Sequence, residues 1–102
     1  MKAILIKGTL CEWVEIENRL EALQYAVGGY IETVPLGHGG VMIVDEEGRL
    51  KGLARNTVAS LVAGMDIVGR ALIVGVDGEE FCDVPDLYIE GILLLQDVMN
   101  ER

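Results

Sequence analysis

The chain has 102 residues, 51% of them apolar, and its 17 acidic and eight basic residues give a net charge of −9. That length fits a single domain over residues 1–102 with one modest core, and the apolar content excludes intrinsic disorder. The acidic balance excludes the basic surface of a nucleic-acid-binding domain and the basic face of a helix that lies on a membrane.

The first apolar run, residues 3–6, is short and β-branched, and it predicts a buried strand. Residues 13–16 partly alternate with glutamates and predict a second strand, which pairs with the first around Gly8 and Thr9. The opening run is too short for a secretory signal, and no apolar run approaches the ~20 residues of a membrane span. We therefore expect a soluble, cytoplasmic protein with no membrane partner.

A helix is predicted over residues 19–27. Asn18 is expected to cap its N-terminus, and Glu21 has the spacing at which a carboxylate reaches back to the cap amide. Gly28 and Gly29 follow where a left-handed residue ends a helix.

Two further strands, residues 30–34 and 41–44, flank a glycine-rich turn, and Pro35 is expected to stop the first of them. A short helix is predicted after Asn56, one or two strands over residues 67–76, and a last helix from Asp83 or Asp86. The order β-β-α-β-β-α-β-α predicts an α+β fold, a mainly antiparallel sheet of about five strands with two to three helices packed on it.

A window without acidic residues, between Gly48 and Met65, contains Arg49, Lys51 and Arg55. Asn56 and Thr57 add neutral hydrogen-bonding groups. If a helix begins after Asn56, its first amides point toward Arg55 with partial positive charge. A guanidinium fork and helix-terminal amides together would hold a small phosphate. Alternatively, these bases only balance the neighbouring acids.

Acidic residues cluster in residues 12–17, 45–47 and 77–86. Such clusters are typical of a soluble surface. They also fit a face that imitates the phosphates of a nucleic acid and occupies a basic protein.

Few residues could perform catalysis. His38 lies in a glycine-rich turn, and an enzyme would need it to meet a carboxylate such as Asp45 across the hairpin. Cys11 and Cys82 stand alone, outside any C-x-x-C pair. We therefore expect no enzyme, no cofactor and no metal site.

Five segments are distinctive: residues 1–6, 16–24, 27–32, 45–48 together with Leu53, and 66–69. The run Val-Gly-Gly-Tyr-Ile-Glu is the most specific of them. In these segments the chain resembles a family of small domains of unknown function, the domain-of-unknown-function family 3846. The family is common in phages and other mobile elements of Gram-positive bacteria. The resemblance implies a setting inside an infected or host cell and no known activity. Small phage proteins of this kind often counter host defence.

Two functions follow as alternatives. The first is a non-enzymatic binder that sequesters a small anionic ligand, for example a cyclic nucleotide immune signal, with Tyr30 or Trp13 stacking on a base. The second is an acidic protein-interaction module, or nucleic-acid mimic, that inhibits a host defence protein. The residues expected to bind the ligand are Arg49, Lys51, Arg55, Asn56, Thr57 and Tyr30.

The last helix contains four consecutive apolar residues, 92–95. Successive helical residues point about 100° apart, so these four reach nearly every side of the helix. A helix that is apolar all round must be covered on more than one side. We expect a homo-oligomer, a twofold dimer that buries this helix, unless the preceding loops fold over it.

Overall fold

The structure is a computed structural model that describes residues 1–100; residues 101 and 102 of the expected domain lie outside the described residues. Its strands are β1 (Lys2–Lys7), β2 (Leu10–Glu15), β3 (Ile31–Gly37), β4 (Gly40–Asp45), β5 (Ala71–Asp77) and β6 (Glu80–Cys82). Its helices are α1 (Leu20–Val27), α2 (Thr57–Ala63) and α3 (Asp86–Asn100).

The strands form one sheet in the order β2-β1-β5-β4-β3, with β6 paired to β5. Every pairing in the described chain is antiparallel. The predicted α+β class with a mainly antiparallel sheet is therefore confirmed. The short strand β6 is a sixth strand, in the acidic segment before the last helix, where no apolar run predicts it.

The two faces of the sheet bury different cores, because successive side chains of a strand point to opposite faces. One face packs against α2 and α3 with Ile4, Ile6, Met42, Val44, Ala71 and Ile73. The other face packs against α1 with Ala3, Val41, Ile43, Leu72 and Val74. Since both faces are covered, β1, β4 and β5 have nearly continuous apolar sequences.

The start of α1 differs from the prediction. The helix begins at Leu20, with Arg19 in the cap position and no side-chain cap bond. Asn18 does not cap it; its Nδ2 donates to the backbone oxygen of Phe81 at 2.9 Å and so ties the start of α1 to β6. The predicted end is confirmed, because Gly28 has a left-handed φ of 94° and donates to Gln24.

Pro35 does not stop β3, which runs from Ile31 to Gly37 with an irregular register after the proline. β3 is an edge strand, where a residue without an N–H interrupts no second ladder of hydrogen bonds. The stretch before β5 is not a strand either; Val68 forms only an isolated bridge with Arg55.

Tyr88 fixes α3 to the β3–β4 hairpin. Its hydroxyl lies 2.7 Å from the Gly37 oxygen and 3.0 Å from the Leu36 oxygen. A Cβ on Gly40 would overlap the Tyr88 ring, so this strand position needs glycine. In the described part of the chain, no helix combines the length and the apolar character that crossing a membrane requires.

Candidate anion-binding site

Two of the predicted arginines contact the same aspartate. Arg49 Nη2 donates to the backbone oxygen of Asp66 at 3.0 Å, and Arg55 Nε donates to Asp66 Oδ1 at 3.2 Å. Both partners of the Arg55 pair are exposed, so solvent screens it strongly. The cleft beside Arg49 has four acidic residues in its lining, Glu32, Asp45, Glu46 and Asp66. Its acidic lining disfavours an anion.

Asn56 is 1% exposed. Its Oδ1 accepts from the amide of Ala59 at 3.1 Å, which confirms the predicted start of α2. Its Nδ2 donates to the backbone oxygens of Ile6 and Gly69, each at 2.9 Å. The expectation that Asn56 binds a ligand is corrected here, because its polar atoms are bonded within the fold and closed to solvent.

The first amides of α2 are also bonded within the chain. Val58 donates to the backbone oxygen of Gly8 at 3.2 Å, and Ala59 donates to the Asn56 side chain. The expectation that the helix terminus presents free amides to a phosphate is therefore wrong for these two residues. Thr57 is exposed at the helix start, and its contribution stays a prediction.

Lys51 binds a buried carboxylate at the end of β4. Its Nζ lies 2.7 Å from Oδ2 of Asp45 and also donates to the Gly28 backbone oxygen at 3.1 Å. The second carboxylate oxygen, Oδ1, accepts from the amide of Glu47 at 2.9 Å. A Cβ on Gly29 would lie 2.6 Å from Lys51 Nζ, so the glycine leaves room for the lysine head.

The pKa of Asp45 reflects this environment. Burial by itself raises the pKa of the carboxyl group. The hydrogen bonds from Lys51 and Glu47 and the attraction of the Lys51 and Arg70 charges outweigh burial, so that the pKa lies below its ordinary value. Asp45 is therefore held as an anion, and it fixes the position of the Lys51 ammonium.

Sequence reasoning missed Arg70, which lies beside this ion pair. A Cβ on Gly28 would lie 2.9 Å from Arg70 Nη2. Lys51 lies at the next residue, Gly29, and Arg70 and Lys51 line one cleft. Arg70 forms no salt bridge with any described residue. Its guanidinium fork is thus available to an external anion.

Two adjoining clefts open beside these cations, and we refer to them together as the Lys51–Arg70 cleft. The inner part has a volume of about 210 Å³ and is lined by Val27, Gly28, Asp45, Lys51, Leu53, Gly69 and Arg70. The outer part is wider and is lined by Glu21, Gln24, Tyr25, Gly28, Gly29 and Arg70. Gly28 and Arg70 belong to both parts.

Two exposed tyrosines, Tyr25 and Tyr30, lie close in sequence to Gly28 and Gly29. Tyr25 is 86% exposed and lines the outer part of the cleft. Tyr30, one of the predicted stacking residues, follows Gly29 directly and is 64% exposed. Trp13, the other, is on β2, whose strand lies at the opposite edge of the sheet from β3. Of the predicted set, Lys51 lines the cleft and Tyr30 follows a cleft residue in the sequence, whereas Trp13 lies at the other edge of the sheet.

His38 and Asp45 lie apart. His38 is exposed in the turn between β3 and β4, in a left-handed conformation with φ 51°. Asp45 is the last residue of β4, at the far end from that turn. A strand advances about 3.3 Å per residue, so the length of β4 separates the two side chains. His38 and Asp45 therefore do not form an acid–base pair across the hairpin.

Several of the segments on which the family resemblance rests contribute to the lining of the Lys51–Arg70 cleft. Gly28 and Gly29 come from one of them, the buried Asp45 from another and Gly69 from a third. Neither the curated proteins nor the solved structures contain a match to the chain. Residues 1–96 match the family model described as "Domain of unknown function (DUF3846)", and the chain therefore belongs to that family.

Proposed function

We propose that the protein is a non-enzymatic binder that sequesters a small anionic ligand in the Lys51–Arg70 cleft. The observation that supports this most strongly is the position of Arg70. Its guanidinium has no salt-bridge partner among the described residues, and it lines the same cleft as a second cation, Lys51. A planar guanidinium matches the oxygens of a phosphate with two parallel hydrogen bonds.

Lys51 would act as the second donor. Two of its contacts are internal, to Asp45 and to the Gly28 oxygen. An ammonium group has three N–H donors, so one remains for the ligand. The Asp45 carboxylate offsets part of the positive charge, and we therefore expect the Arg70 guanidinium to contribute most of the binding.

The ligand class that fits best is a nucleotide. A phosphate would bind the cations, and a base would stack on Tyr25, which is exposed and lines the cleft, or on Tyr30, which is exposed and follows Gly29 in the sequence. The setting of the family in phages and mobile elements extends the proposal to an anti-defence role. In that role the protein would act in the host cytoplasm, where it would remove a nucleotide signal such as a cyclic nucleotide.

Thermal-shift and calorimetric titrations with inorganic phosphate, mononucleotides and cyclic mono- and dinucleotides test the proposal. We expect at least one nucleotide to stabilise the protein and to be recovered chemically unchanged. Arg70→Gln should weaken its binding about 10- to 100-fold, because a charge-assisted hydrogen bond contributes about 1.5–3 kcal/mol. Lys7→Gln removes a positive charge from an exposed residue of β1 that lines neither part of the cleft, and it should have little effect.

Arg55→Ala separates this site from the one expected from the sequence. If the ligand binds at Asp66, Arg55→Ala weakens binding more than Arg70→Gln does. If it binds at the Lys51–Arg70 cleft, the order is reversed. Absence of stabilisation by every compound, or conversion of a bound nucleotide to product, would contradict the proposal.

A further inference from the structure

The exposed side of α3 forms a straight apolar stripe. Tyr88, Ile89, Ile92 and Leu95 pack toward the sheet. On the other side, Leu87, Leu94 and Val98 are 53%, 66% and 57% exposed. Together with Gly91 they follow the spacing i, i+4, i+7 and i+11, which places them along one line of a helix. We call these four residues the α3 stripe.

Gly91 makes the centre of the stripe shallow. It lies within the helix, and a Cβ built on it would meet nothing within 4 Å. A residue without a side chain lets a second helix approach the backbone closely. The stripe extends over the 12 residues from Leu87 to Val98, which corresponds to about 16 Å of helix axis. This length and shape fit a partner helix of three turns.

The charges beside the stripe are all acidic. Asp86, Glu90 and Asp97 are exposed, and the helical period of about 100° per residue places them on one flank of the stripe. The sequence of α3 contains no lysine or arginine. A partner that covers the stripe must therefore bring its own charges against this acidic flank.

We infer that the α3 stripe docks an amphipathic helix of a partner protein whose flank is basic. The leucines and Val98 would bury the apolar face of that helix, and the three acids would meet its lysines or arginines. This inference does not depend on the anion site. It assigns a specific surface to the alternative function expected from the sequence, a protein-interaction module.

A second copy of the chain is the competing occupant, as expected from the sequence. Two antiparallel copies would bring identical acidic flanks together, and in any arrangement each copy carries a net charge of −9. Like charges at an interface oppose association. Charge complementarity therefore favours a basic helix over self-association.

Two synthetic peptides test the inference, an amphipathic leucine–lysine helix of about four turns and the same peptide with glutamate in place of lysine. We expect the lysine peptide to bind, by fluorescence anisotropy, at least 10-fold more tightly than the glutamate peptide. Leu94→Gln should weaken that binding about 5- to 10-fold, as for a central interface leucine. Leu20→Gln is the matched control, because this leucine is 53% exposed on α1, across the sheet.

The electrostatic part has its own control. Glu90→Gln should weaken binding of the lysine peptide, whereas Glu21→Gln on α1 removes the same charge and should not. Equal effects of the two substitutions would mean attraction to the whole acidic protein and would overturn the inference. Light scattering provides a second test. A wild-type mass of twice the 11.1 kDa of one chain, together with a single-chain mass for Leu94→Gln, would also overturn the inference, because a second copy would then cover the stripe.

Discussion

The Asp45 carboxylate and the Lys51 ammonium form an ion pair of 2.7 Å in which the acid is 1% exposed and the base 39% exposed. The same ammonium donates to the backbone oxygen of Gly28. One lysine therefore joins the end of β4, its own loop and the end of α1. The buried acid depends on this contact more than the lysine does, because only the lysine can recover its hydration.

Lys51→Met is expected to lower the free energy of unfolding by about 1–3 kcal/mol, because it leaves the buried carboxylate short of a donor. Urea unfolding measures the difference. Lys7→Met is the control, since Lys7 and Glu12 form an exposed pair, with side chains 44% and 40% exposed. That substitution should change stability by less than about 1 kcal/mol. Equal effects of the two substitutions would contradict the structural role of the Asp45–Lys51 pair.

The same pair predicts how stability depends on pH. Because the pKa of Asp45 in the folded state lies below the ordinary 3.8, the unfolded chain binds this proton more readily. The contribution of Asp45 is therefore fully present above about pH 5 and is lost as the pH falls through the folded pKa. Between about pH 5 and pH 3, the free energy of unfolding should fall more steeply for the wild type than for Asp45→Asn. Parallel curves for the two proteins would contradict this prediction.

Much of the fold could be predicted because its signals are local. The apolar runs of β1, β4 and β5, the glycines that end α1 and the asparagine that starts α2 each act within a few residues. The sheet order could not be predicted, since β5 lies between β1 and β4, which are distant in sequence. The predictions that Asn18 caps α1 and that Pro35 stops β3 were wrong for a related reason. Asn18 bonds to the backbone oxygen of Phe81, which is distant in sequence, and Pro35 lies on a strand at the edge of the sheet.

The candidate site was harder to predict, because it too is formed by residues that are distant in sequence. The sequence drew attention to a window rich in bases, but two of them contact Asp66. Arg70 lies outside that window, directly before a buried strand. It reaches the site because β4 and β5 are antiparallel and pair Val44 with Ala71, which places Asp45 and Arg70 next to each other. Only the strand pairing, and no local pattern, contains this information.

Asn56→Ala is expected to lower the free energy of unfolding by about 2–4 kcal/mol, since it removes a helix cap and two donors to backbone oxygens. Asn56→Asp keeps the cap acceptor but puts a carboxylate against the oxygens of Ile6 and Gly69, and it should be at least as damaging. Thr57→Ala changes the next, exposed residue and should have an effect within about 0.5 kcal/mol. Chemical unfolding of the three variants checks the order, and an Asn56→Ala protein as stable as Thr57→Ala would show that the bonds are not formed.

Gly91→Ala is expected to stabilise the protein. Gly91 lies within α3, its φ is not positive, and an added Cβ meets nothing within 4 Å. Alanine in a helix interior is more favourable than glycine by roughly 0.5–1 kcal/mol. For a chain of this size that corresponds to a rise in Tm of about 2–8 °C, measured by far-ultraviolet circular dichroism. Gly28→Ala is the matched control with the opposite sign, because Gly28 has a φ of 94° and its Cβ would lie 2.9 Å from Arg70 Nη2. If Gly91→Ala lowered the Tm as Gly28→Ala does, Gly91 would not lie on an open face of α3.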